Sequence, residues 1–198
     1  MDKEREFWYH GTEVVRHFLE GMAAAQDRLN RGYETQSALE CIVLSAAIVD
    51  GLLRMGVVLK AQLDSNSHEF DERLLKQTDS EAKFTERWVI NQALQRNVIS
   101  SKLGAKLHAL YDARNKCVHR YVISDVTYDV ATNLVFDYDE AIKEVRANIK
   151  MLEQRQVEAG VGLVAAEANT DDPEYDAEIK RWIKEMAVSK EQRPNRGR

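Results

Sequence analysis

The sequence predicts an all-α fold, an up-and-down helical bundle followed by a C-terminal helical extension. Three observations carry this. The first 172 of 198 residues hold no proline, the residue that most often interrupts a helix; the only two are Pro173 and Pro194. Nine glycines are too few for the turns of a β-sandwich or barrel. Apolar residues recur three, four or seven positions apart over long stretches, the spacing of one helix face.

A hydrophobic share of 44%, a charged share of 31% and a net charge of -5 fit a soluble globular chain and argue against disorder or a membrane protein. The length suits one domain plus an appendage. Cys41 and Cys117 are the only cysteines, too few for a disulfide framework or a metal quartet. They point to a reducing, cytoplasmic setting. The opening residues, MDKEREFWYH, lack the apolar run of a signal peptide.

The elements follow in order. Phe7, Val14, Phe18, Met22, Ala25 and Leu29 mark one face of a first helix over about 2–30, with Gly32 as its expected C-cap. A second helix starts at Thr35 or Ser37 and runs to about Gln62. It is apolar almost all round, as a central helix covered on several sides must be, and its Ser45, Asp50 and Arg54 argue against a membrane span. A short helix is expected over 69–77 and a longer one from Ser80 to Asn97. Ser100 and Ser101 cap the next, from Lys102 to about Val118. Residues 121–132, YVISDVTYDVAT, alternate and are rich in β-branched side chains, so they read as an extended loop. A last bundle helix fits 137–158, with Ile142, Val145, Ile149 and Leu152 on one face. The bundle then covers 1–158, a linker 159–173, and an amphipathic helix with a basic tail 174–198. The helix carries Tyr175, Ile179, Trp182 and Met186 on one face, behind a proline suited to a first turn.

Chemistry concentrates in residues 101–122, SKLGAKLHALYDARNKCVHRYV. Lys102, Lys106, Arg114, Lys116 and Arg120 stand there against Asp112 alone. A positive patch on an acidic chain points to an anionic partner at one place; a solvated helix face is the plainer reading. Leu103, Leu107, Leu110, Arg114, Cys117 and Tyr121 form one stripe, which puts Arg114 where an apolar residue belongs. A buried guanidinium must find acceptors, and a salt bridge to Asp50 or Asp125 would satisfy it as well as a function would. His119 follows five residues later, roughly 140° around an unbroken helix. The two can share a site only if the helix ends near Val118 or if two chains meet.

Arg114-Asn115-Lys116-Cys117-Val118-His119-Arg120-Tyr121 resembles the signature of the HEPN superfamily (higher eukaryotes and prokaryotes nucleotide-binding). That signature is an Arg followed by a polar residue and, after four to six intervening residues, a His. The resemblance is sharp over 105–123 and looser elsewhere. It implies a ribonuclease that needs no metal or other cofactor, whose site forms between two protomers of a homodimer. The product carries a 2′,3′-cyclic phosphate and a 5′-hydroxyl. Arg114, Asn115 and His119 would then be catalytic, and Lys116 and Arg120 would bind RNA. His119-Arg120-Tyr121 further resembles HEPN toxins in which the tyrosine is nucleotidylated by a nucleotidyltransferase antitoxin; packing on the apolar stripe is the competing reading of Tyr121. The resemblance thus implies RNA, a second copy and an antitoxin, nucleotidyltransferase-like or other, as partners, no membrane, and a toxin–antitoxin or antiviral defence role.

The residue types suit that chemistry. Imidazole relays protons near neutral pH, and a guanidinium stabilises a crowded phosphorane without losing its charge. Three other readings compete. Glu6, His10, Glu13 and His17 lie at helical spacing, which suits metal ligation or simple carboxylate–imidazole pairing. Cys117 as a nucleophile is disfavoured by its place on the apolar stripe. A non-catalytic nucleotide- or RNA-binding scaffold would keep the same fold.

Overall fold

The computed structural model describes residues 3–77 and 84–163, residues 3–12 by their backbone alone. Among the described residues there are five α-helices and no strand: α1 (Lys3–Glu34), α2 (Ala38–Ser65), α3 (Glu86–Gln95), α4 (Ser101–Arg120) and α5 (Tyr128–Ala159), with single 3-10 turns at Glu72–Leu74 and Tyr121–Ile123. The fold is all-α, as the spacing of its apolar residues requires.

The helix α2 is the axis. Ile42, Ile48, Leu53, Val57, Val58 and Leu59 are buried, and α1, α3, α4 and α5 all pack against it. By length and composition it could cross a membrane; here its apolar surface forms the core. Each fully buried Leu or Ile contributes about 1.5–3 kcal/mol, so this helix supplies much of the driving force for folding. α1 returns antiparallel to α2, with Met22 and Phe18 over Gly51. α5 runs parallel to α2, since Tyr128 reaches the Gln36 carbonyl at one end and Gln156 reaches Leu59 at the other. α4 runs antiparallel to α5, pairing Lys106 with Glu140 and Leu110 with Tyr138. The C-terminus of α4 therefore lies at the end of the bundle where α2 and α5 begin.

Several boundaries differ from those read off the sequence, each for a local reason. Gly32 is not a C-cap but an interior residue of α1. An added Cβ there would stand 2.8 Å from Cys41 Sγ, so its smallness serves the close approach of α2. The turn is made instead by Gln36 at φ 56°. Ser37 holds the N-cap position of α2 without a side-chain bond, and α2 continues to Ser65, stopped by Asn66 in the left-handed region. The helix expected over 69–77 shrinks to one 3-10 turn capped by Asp71. Thr85, not Ser80, caps α3 by accepting from Trp88 N–H; the expected start at 80–83 lies outside the described residues. Ser100 caps α4 as the sequence suggests, accepting from Leu103 N–H at 3.1 Å.

The largest difference concerns 121–132. Rather than an extended loop over its whole length, it gives the Tyr121–Ile123 turn, a short link, and the first turns of α5. Thr127 accepts from Val130 N–H at 3.2 Å, and Ala131, Leu134, Val135 and Tyr138 bury one face of α5. A good cap and a core-facing stripe outweigh β-branched propensity.

The expected linker begins as packed structure. Val161 is buried, and Gly162 N–H donates to His68 Nδ1 at 3.0 Å. Gly162 sits at φ +85°, and a Cβ would lie 2.2 Å from the Gln156 amide, so only glycine fits. The expected amphipathic helix and basic tail, 174–198, and the rest of the linker lie outside the described residues.

Candidate functional site

The motif occupies the second half of α4. Leu103, Leu107, Leu110 and Cys117 are buried, and Arg114 follows them inward, keeping 21% of its side chain exposed. Its Nη2 donates to Glu86 Oε2, the carboxylate of the first residue of α3. The guanidinium carbon lies 5.1 Å from the centre of the Tyr111 ring, a cation–π placement. Its Nε is buried with no hydrogen-bond partner. Neither Asp50 nor Asp125, the partners the sequence suggested, holds it. Asp50 is taken by Arg54 at 2.6 Å on α2, and Asp125 by Lys116.

A run of alternating charges thus crosses the bundle, Asp50 and Arg54 on α2, Glu86 on α3 and Arg114 on α4. Burial pushes the Glu86 carboxyl above its ordinary value; Arg114 pulls it back, and Asp50 adds to the rise. The net direction is upward because desolvation of the carboxylate outweighs a single well-placed cation. Arg54 also donates to the carbonyls of Leu74 at 3.1 Å and Phe84 at 2.8 Å, which holds the entry to α3. On the other side Tyr138 is buried, its hydroxyl donating to the Leu110 carbonyl at 3.2 Å. Burial and the nearby Glu86 charge both raise its pKa.

The outer residues of the motif are arranged differently. Among the described residues, His119 and Arg120 have no hydrogen-bond or ion-pair partner, and both are exposed on the last turn of α4. Asn115 is half-buried on the side of α4 that leads towards His119. Lys116 is engaged by Asp125, whose carboxyl that lysine holds below its usual range. Lys106 is engaged by Glu140, and Arg87 binds Asp112 while its guanidinium carbon lies 4.7 Å from the centre of the Tyr111 ring. The positive patch is therefore partly neutralised by residues the local sequence does not contain.

α4 continues unbroken through Arg120, so the expected alternative of a helix ending near Val118 does not occur. Arg114 and His119 stand roughly 140° apart around the axis and about 7.5 Å apart along it. One copy of the chain does not bring them to one point. Tyr121 falls in the 3-10 turn and keeps 37% of its surface exposed, so the apolar stripe ends at Cys117. Beside it Val122 and Ile123 are 93% and 83% exposed.

Cys117 is buried, and burial pushes its thiol up, which keeps it a packing residue. A groove of about 340 Å³ runs between α4 and α5, floored by Ala113, Cys117, Val126, Val130 and Leu134 and edged by the Lys116–Asp125 pair. It neighbours the motif, but Arg114 does not line it. On α1, His17 lies between Glu13 at 3.5 Å and Glu20 at 3.3 Å as exposed pairs; the side chains of Glu6 and His10 lie outside the description. Glu86 and Tyr138 were not singled out by sequence. The signal for Glu86 was slight, an acid after a capping threonine, which is how any helix start looks. Comparisons with protein-family models, with curated proteins and with solved structures give no match.

Proposed function

We propose that this chain is a metal-independent endoribonuclease of the HEPN type, acting in a toxin–antitoxin or antiviral defence system through a site shared by two copies. The observation that carries the reading is the state of the two motif side chains on α4. Arg114 is paired inside the bundle with Glu86, while His119 stands in solvent with no partner among the described residues. A half-buried cation and a free imidazole on one helix suit a composite site in which each copy lends one to the other's RNA.

The chemistry follows from the groups. The ribose 2′-oxygen attacks the adjacent phosphorus as its proton passes to an imidazole, and the bond from phosphorus to the 5′-oxygen breaks. The leaving oxygen takes a proton, giving a 5′-hydroxyl, and the other fragment keeps a 2′,3′-cyclic phosphate. Arg114 stabilises the charge that builds on the phosphorane, Asn115 orients phosphate or imidazole, and Lys116 and Arg120 draw in the backbone. DNA lacks the attacking hydroxyl. Nucleotidylation of the exposed Tyr121 hydroxyl by an antitoxin would place a bulky anion beside the site.

A second reading, a non-catalytic nucleotide- or RNA-binding scaffold, draws on the engagement of Arg114 by Glu86. One experiment separates the two. Wild type and His119→Ala are incubated with RNA in EDTA, and the products are tested for cyclic phosphate ends, with the mass in solution measured alongside. The proposal expects a dimer, and cleavage reduced about 10²–10⁴-fold in the variant. Equal cleavage by both, or an active monomer, would overturn it. Tight RNA binding without cleavage would favour the scaffold.

A further inference from the structure

We infer that Glu86 is a positioning residue for Arg114, fixing the guanidinium in the orientation in which it meets the RNA phosphate. The inference rests on the endoribonuclease reading and adds a residue outside the motif to it. Glu86 stands on the first turn of α3, clear of α4 in sequence, and its carboxylate takes Arg114 Nη2. The carboxylate is itself held on a rigid base. Thr85 caps the helix beneath it, and Arg54 grips the Phe84 carbonyl two residues before it at 2.8 Å.

The rest of the cage around Arg114 is aromatic. Tyr111 lies against the guanidinium at 5.1 Å, and Tyr138 is fixed on the α5 side by its bond to Leu110. Such surroundings restrict rotation but supply only one charged acceptor. The fork has five N–H donors; Glu86 takes one, the Tyr138 hydroxyl interacts with the guanidinium as well, and the Nε donor remains buried and unsatisfied.

Orphaned atoms occur away from the motif too, on Ser45 and Arg96 among the described residues; at Arg114 the orphan belongs to a charged group that is only half-buried. The polar cluster at the other end of α2 and α5 does close: Gln62 and Gln156 are both fully buried and neither leaves an orphaned atom. At Arg114 the incomplete set leaves donors for an anion, with 21% of the side chain reaching solvent. Glu86 sets the direction in which they point.

The test is a double-mutant cycle on RNA cleavage with wild type, Glu86→Gln, Arg114→Ala and the double variant. Gln keeps the shape and loses the charge. Glu86→Gln is expected to lower kcat by about 10–100-fold with KM changed less than about threefold, as misplacing a group in the transition state does. In the Arg114→Ala background the same change is expected to add less than about twofold, because its effect runs through Arg114. Glu86→Asp, which keeps the charge on a shorter arm, is expected to recover part of the loss. If Glu86→Gln does not fold, Glu86→Asp takes its place in the cycle. Independent, multiplying losses, or an unchanged kcat, would overturn the inference while leaving the ribonuclease reading intact. If wild type cleaves nothing, the ribonuclease reading falls, and the cycle is run on binding of a fluorescein-labelled RNA oligomer. Coupled losses there would support the role of Glu86, and uncoupled losses, or no binding by wild type, would overturn it.

Discussion

Two polar clusters among the described residues are treated in opposite ways. At the C-terminal ends of α2 and α5 the groups are neutral and closed. Gln62 Nε2 donates to the His68 carbonyl at 2.6 Å, its Oε1 accepts from Gln156 at 2.9 Å and from Leu163 N–H at 3.2 Å, and Gln156 donates to the Leu59 carbonyl at 3.0 Å. Around Arg114 the groups are charged and open, with orphaned atoms on Arg114 and Asp50. The first pattern joins two helices and the chain leaving α5, which is what a structural clasp does. The second keeps a cation in place without exhausting its donors, which is what the proposed RNA phosphate site would use.

That contrast breaks most readily at the amide clasp. Gln156→Ala removes one donor shared by two buried acceptors and leaves a void. We expect a loss of about 3 kcal/mol in urea unfolding from unsatisfied acceptors and lost packing, with RNA cleavage per folded molecule unchanged. A loss of cleavage as large as that of Glu86→Gln would mean the two clusters are not separate in role.

A subtler effect is expected from pH. The Glu86 carboxyl is raised above its ordinary 4.5, so just above that pH the folded chain holds a proton that the unfolded chain has released. The stability this group contributes is therefore present at acid pH and lost as pH rises through its folded value. Glu86→Gln has no such term. The melting temperature of wild type should gain on that of the variant as pH falls towards 4.5, and a wild type that loses ground to the variant over that range would show that pairing with Arg114 prevails over burial.

The smallest effect concerns the rim. Arg120 has no partner among the described residues, whereas Lys116 is held by Asp125. Arg120→Ala should flatten the salt dependence of RNA binding by about 0.7 in log–log slope, one phosphate contact on a single strand. Lys116→Ala should change it less, because its charge is already shared. Equal slopes would place both at the same contact.

Much of this was legible in the sequence. The apolar faces of α1, α2 and α5, the cap at Ser100 and the inward position of Arg114 all follow from spacing, which depends on neighbours three or four residues away. The partner of Arg114 was not legible, because Glu86 is 28 residues distant and looks like any acid in a first helical turn. The start of α5 was misread because Val122, Ile123, Thr127 and Val130 have strand-like side chains, and only the later core contacts of Leu134 and Tyr138 settle the segment as helix. The neutralisation of Lys106 and Lys116 was hidden for the same reason: their acids come from α5 and from the link before it.

Arg54 has a consequence of its own. It ties the stretch before α3 to α2 by seizing two main-chain oxygens, at Leu74 and Phe84. Main-chain oxygens are common to all residue types, so substitutions at 74 or 84 leave the acceptors in place. Side-chain packing at 74 and 84 is a separate matter, but the hydrogen bonds of that seam hang on the single codon for position 54.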